Sequence, residues 1–174
     1  VIDTTKGIAI VLKEGGKIED YKGQQCLTRP QTPHIVIPTT AGTGSEVTYF
    51  AVIKDQVNHQ KHPYCDDNII PNVGILDPTM TAGLPPMLTA TTGMDAFSHA
   101  LEAIHATPCS PVADGMALHA IRLIMEYLPL CVENGKDLFA RGQQLMASTI
   151  AGIAFTNAQV GLVHAIAHTL GGLF

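Results

Sequence analysis

The chain changes character at Pro85-Pro86, and this change limits the folds open to it more than any other feature. Before that point, short β-branched runs alternate with turn signals. Ile35-Val36-Ile37 stops at Pro38, Val47 to Ile53 follows a Gly/Ser/Thr loop, and Val73 to Leu76 stops at Asp77-Pro78. Runs of this length between breakers are strands. A helix is predicted from Thr4 to Glu14, capped by Gly15-Gly16. After Pro86 the apolar period becomes helical. Helices are predicted over about Thr91–Ala106, Pro111–Leu128, Lys136–Phe155 and Val160–Leu170, broken at Pro108, Asn134-Gly135 and Gly171-Gly172. Val112, Met116, Ile121, Ile124 and Leu128 are the inward candidates of the second of these. The predicted class is α/β: residues 1–85 form part of an α/β domain and residues 86–174 part of an all-helical one.

At 174 residues, 46% hydrophobic and 14% charged, the chain has material for a large core and is not a disordered one. A net charge of −5 without a basic stripe argues against nucleic acid as a partner. No uninterrupted apolar run reaches the ~20 residues of a membrane crossing. Cys26, Cys65, Cys109 and Cys131 lack Cys-x-x-Cys spacing, which fits reduced thiols in a cytoplasmic protein rather than a zinc cluster. The chain opens at Val1 with what reads as the inside of a helix, so its true start is expected to lie upstream.

Two predicted helices each carry a pair of potential metal ligands one turn apart, Asp95 with His99 and His164 with His168. Glu102 extends the first polar stripe beside an apolar one of Met94, Phe97, Leu101 and Ile104. Either pair alone also describes polar groups that face solvent or satisfy one another. Both pairs, on helices this apolar, point to a shared divalent cation that offsets their burial. One carboxylate oxygen with imidazole nitrogens suits Fe²⁺ or Zn²⁺ better than Ca²⁺ or Mg²⁺. The loop Pro38 to Glu46, with small residues and three threonines after a strand, reads either as an anion-binding loop or as an ordinary tight connection. Lys61 alone would be a solvated charge. The remaining histidines (His34, His59, His62, His105, His119) read as surface or satisfied core groups.

That loop, the stretch Thr89 to Ala103 and the stretch Gly161 to Phe174 together resemble the iron-containing (group III) alcohol dehydrogenases, in order and at the expected separations. The resemblance implies a Rossmann-like nucleotide-binding part and a helical metal-binding part. It implies Asp95, His99 and His164 as three of four metal ligands, and His168 beside the nicotinamide in proton transfer. It further implies Thr39, Thr40, Thr48, Phe50, Lys61 and Met80 as cofactor contacts. Asp3 matches the aspartate that follows the family's Gly-Gly-Gly-Ser pyrophosphate loop. That loop would precede Val1, and the fourth ligand, a histidine in a Pro-His-Gly context, would follow Phe174. The chain therefore resembles an internal fragment of a longer enzyme. Phe97 stands where the family usually has leucine, a tolerable core change.

The activity implied is metal-dependent, NAD- or NADP-linked interconversion of small alcohols or diols with aldehydes, with iron or zinc, in a homo-oligomer. Two other readings are open on the residues alone. One is a metal-dependent hydrolase or lyase with Glu102 as general base; the other is a catalytically inert fragment. The zinc-using glycerol dehydrogenases share the Asp-x-x-x-His chemistry, but the surrounding motif favours the alcohol dehydrogenase branch.

Overall fold

Turn chemistry and capping set the chain's element boundaries. The computed structural model describes residues 1–173; Phe174, the last residue of the third motif, lies outside them. The elements in order are α1 (Ile2–Glu14), β1 (Gly23–Gln24), β2 (Ile35–Val36), β3 (Phe50–Asp55), β4 (Gln60–Cys65), β5 (Val73–Gly74), α2 (Pro86–His105), α3 (Pro111–Glu133), α4 (Leu138–Ala158) and α5 (Leu162–Leu173). The protein is thus mixed helix and strand, and short 3₁₀ turns punctuate the first half.

β3 and β4 form an antiparallel hairpin from Phe50 opposite Cys65 to Asp55 opposite Gln60, and β1 joins β4 in parallel. The Asp55 carboxylate closes the hairpin turn by accepting from the Val57 and Asn58 N–H groups. The β2 and β5 strands pair in parallel over two residues. Two strand expectations need correction. The run Val47–Ile53 becomes extended only at Phe50, because Gly44 to Thr48 form a turn. The β4 strand was not expected from its polar, Pro63-containing sequence; it forms because β3 supplies a complete hydrogen-bonding edge.

Helix α1 is fastened to β3 by buried polar contacts. The Lys6 ammonium is fully buried and donates to the carbonyls of Thr48 (2.7 Å) and Phe50 (2.8 Å). Both Asp3 carboxylate oxygens are engaged, accepting from Ser45 Oγ (2.8 Å) and the Val52 N–H (2.8 Å). Ile10, Ala51, Tyr64 and Ile69 form the small core of this part.

Ser110 caps α3 with Pro111 at its first position, and Asp137 caps α4. α3 runs on through Pro129 to Glu133, past the expected end at Leu128; one missing N–H does not end a helix held by neighbours on both sides. α2 begins at Pro86, earlier than expected. The core between α2, α3 and α4 consists mainly of alanines. Ala96, Ala100 and Ala103 of α2 meet Ala113, Ala117 and Ala120 of α3 and Ala147, Ala151 and Ala154 of α4. Small side chains let the helices approach closely, so the larger apolar residues lie outside the seam. Met94 and Leu101 are half exposed, and Val112, an expected inward residue, is 71% exposed. By length and mean hydropathy α3 would pass for a membrane-crossing helix, but Asp114, Arg122 and Glu126 interrupt its apolar run, as expected. Its seam residues pack instead on α2 and α4.

Candidate metal centre

Residues 38–46 lie against the helical half through glycines. A Cβ on Gly42 would sit 2.6 Å from the Thr92 carbonyl of α2, and one on Gly44 would sit 2.7 Å from the Gly152 Cα of α4. Gly44 also has φ +62°, in the left-handed region that favours glycine. The buried Glu46 carboxylate accepts from Thr149 Oγ1 of α4 at 2.7 Å. Thr39 and Thr43 are left exposed and Thr40 half-buried.

The loop also runs beside α2 where Asp95 and His99 project from one face. His164, from the first turn of α5, meets them there. Asp95, His99 and His164 each present a donor atom, and the three atoms lie within 4.8 Å of one another. The His99 and His164 rings stack, with centroids 4.3 Å apart and planes 17° from parallel. His164 Nε2 lies 3.6 Å from Asp95 Oδ1. Phe155 of α4 stacks on the other side of His99 at 4.2 Å, and Phe50 of β3 packs tilted against Phe155 at 5.7 Å.

Burial pushes the His99 imidazolium down to about 4, against the pull of Asp95, so the ring is neutral at neutral pH. Burial would raise the Asp95 carboxyl, but the neighbouring His164 ring and the His99 and His168 rings bring it below its ordinary value. Burial would likewise lower His164, yet the adjacent Asp95 and Glu102 carboxylates hold it above its ordinary value. His99 Nδ1 is buried without a hydrogen-bond partner. An orphaned imidazole nitrogen, a neutral ring and an ionised carboxylate make a donor set that fits a divalent transition metal.

His168, one turn along α5, lies edge-on to His164 with centroids 5.9 Å apart and is not among the three converging donors. It lines a cavity of about 320 Å³ with His59, Gln60, Lys61, Thr169 and Leu173. Burial, His164 and Lys61 lower its basicity, while Asp95 and Asp3 act in the opposite sense. Lys61, unremarkable in the sequence, is thereby placed with His168. Thr48 is buried against Lys6, and Met80 is half exposed on a turn packed against α4. Neither joins the three donors.

One participant was missed by sequence reasoning in this role. Glu102 Oε2 accepts from His164 Nδ1, and Glu102 Oε1 accepts from the Val163 N–H at 2.7 Å. Its spacing from Asp95 and His99 along α2 was the only available signal.

Residues 1–78 match the family described as iron-containing alcohol dehydrogenase, and residues 89–174 match the Fe-containing alcohol dehydrogenase family, C-terminal. The chain is 47% identical over 172 residues to the NAD-dependent methanol dehydrogenase of Bacillus methanolicus, covering 99% of this chain and 45% of that protein. Among solved structures, an alcohol dehydrogenase from Oenococcus oeni superposes with a TM-score of 0.95 at 43% identity, covering 98% of this chain and 45% of that one. A 1,3-propanediol oxidoreductase superposes equally well, with a TM-score of 0.95 at 43% identity over 99% of this chain and 45% of that one. The chain spans about 45% of the length of these relatives. It belongs to the iron-containing alcohol dehydrogenase family.

Proposed function

We propose that this chain, as a member of that family, contributes the metal-holding residues and part of the cofactor site of an NAD(P)-linked dehydrogenase acting on small alcohols or diols. The observation that carries the reading is the convergence of Asp95, His99 and His164, from two helices, within 4.8 Å. The related proteins add direction: one is named NAD-dependent and acts on methanol, another on 1,3-propanediol. In this reading residues 1–85 are part of a Rossmann-like nucleotide-binding domain and residues 86–174 part of a helical metal-binding domain. Separate hydrophobic cores and the two family matches support that division. Four free thiols fit a cytoplasmic location.

Asp95, His99 and His164 would hold an iron or zinc ion, which would supply Lewis-acid polarisation of the substrate oxygen, and a bound nicotinamide would supply the hydride chemistry. Asp95 supplies the anionic donor and is kept ionised by the imidazoles around it. His99, neutral and clamped between His164 and Phe155, keeps its lone pair available and its ring immobile. His168 stands between this cluster and the cavity, where its neutral imidazole can accept the hydroxyl proton and pass it outward. Lys61 places a positive charge on the same cavity wall, suited to an anionic part of the cofactor. In this reading the cofactor approaches along the loop and β3, past Thr39, Thr40 and Phe50. Asp3 orders that approach by holding Ser45, and Thr48 by holding Lys6.

The test is an assay of the whole protein, purified without air, with short primary alcohols and diols and NAD or NADP. Reduction of the nicotinamide in step with aldehyde formation is expected, and chelation should abolish it. Metal-dependent turnover of a substrate without consumption of nicotinamide would instead establish the hydrolase or lyase reading.

A further inference from the structure

Glu102 is 3% exposed, and it does more at this site than fill a polar stripe. Its carboxylate reaches from α2 to the start of α5, where it accepts from the Val163 N–H, which the helix leaves unpaired. The approach is close: a Cβ on Gly161 would stand 3.0 Å from Glu102 Oε1. Oε1 thus serves the backbone, while Oε2 is committed to His164 Nδ1. A neutral imidazole carries its proton on one nitrogen only. With the proton held on Nδ1 by Glu102, the lone pair is on Nε2, the atom that faces Asp95 at 3.6 Å.

We propose that Glu102 is a positioning residue for the metal centre: one carboxylate both docks the first turn of α5 on α2 and holds His164 in the Nδ1–H form that leaves Nε2 free to ligate. The inference rests on reading Asp95, His99 and His164 as metal donors. It gives α2 a second function, since the helix that carries two donors also sets the orientation and protonation of the third. Carboxylate partners of this kind raise a ligating imidazole's affinity for metal.

The sharpest variant is Glu102→Gln. The two Glu102 oxygens satisfy two donors, and an amide can accept only one of them. If the amide oxygen keeps Val163, its NH₂ meets Nδ1, and the ring must move its proton to Nε2, where it blocks the metal. If the oxygen keeps His164, the start of α5 loses its acceptor. Co²⁺ titration of the metal-free chain should show 10- to 100-fold weaker binding in Glu102→Gln than in the unmodified chain. Nitrogen-15 NMR at alkaline pH should place the His164 proton on Nδ1 in the unmodified metal-free chain. A proton found on Nε2 there would overturn the proposal without recourse to any variant, and so would unchanged Co²⁺ affinity in Glu102→Gln. A His99→Ala variant that binds Co²⁺ as tightly as the unmodified chain would instead overturn the metal centre itself, and leave the proton position on His164 as an independent result.

Discussion

The rings of His99 and His164 lie face to face, with centroids 4.3 Å apart, although one projects from the middle of α2 and the other from the first turn of α5. Two imidazoles stacked this closely beside a carboxylate cannot all be charged, and the low basicity of His99 follows from its burial and from this neighbour. The arrangement separates the roles of the four residues marked by spacing alone: three converge, and His168 faces the cavity beside them.

His99→Ala and His168→Ala should therefore part company. In the whole protein, the first should lose bound metal and activity together. The second should retain its metal and lose turnover by about 10²–10⁴-fold, as expected for removal of a proton-transfer group. Metal analysis beside steady-state assays decides the matter; loss of metal from both variants would contradict the division.

Gly44→Ala should destabilise the chain by roughly 2–4 kcal/mol, since the added methyl meets the Gly152 backbone and the backbone conformation is left-handed. Urea unfolding measures the change. Gly83→Ala, with open space around its Cβ, should shift the midpoint little. Equal effects would mean that the loop does not rest on α4.

Lys6 provides a prediction at alkaline pH. Burial pushes its ammonium down to about 8 from 10.5, with Asp3 and Glu46 opposing. Between those values the unfolded chain holds more protons than the folded one, so stability rises with pH, by on the order of 3 kcal/mol in total. Below pH 8 the buried charge is a cost in full. Lys6→Met should flatten this rise, read as the difference between the two unfolding free energies from pH 7 to 10.5. An identical slope in both proteins would show that Lys6 keeps its ordinary basicity in the fold.

Much of the helical half was legible because 3.6-residue periodicity, Pro and Asn-Gly breaks and one-turn polar spacings are local signals, and they located Asp95, His99 and His164 together. Its packing was less legible. The sequence marked Met94 and Leu101 as an apolar stripe and Val112 as inward, whereas alanines form the seam, because closeness of approach is a property of helix pairs and not of one helix. The β4 strand was hidden for a similar reason: Gln60 to Cys65 has little strand propensity and is extended by pairing with β3. Glu102 was visible only as a carboxylate on a stripe; its partners lie at the start of another helix, and nothing in α2 announces them. Asp3 likewise reads as one residue of a cofactor motif, while its two oxygens hold Ser45 and Val52 across a long stretch of chain.

Anomalous scattering from crystals of the chain grown with Co²⁺ most directly tests whether two helices share one ion. A single strong peak within coordination distance of Asp95, His99 and His164, with Glu102 on the far side of the His164 ring, is the predicted result. A peak elsewhere, or none among these three residues at saturating Co²⁺, would contradict it.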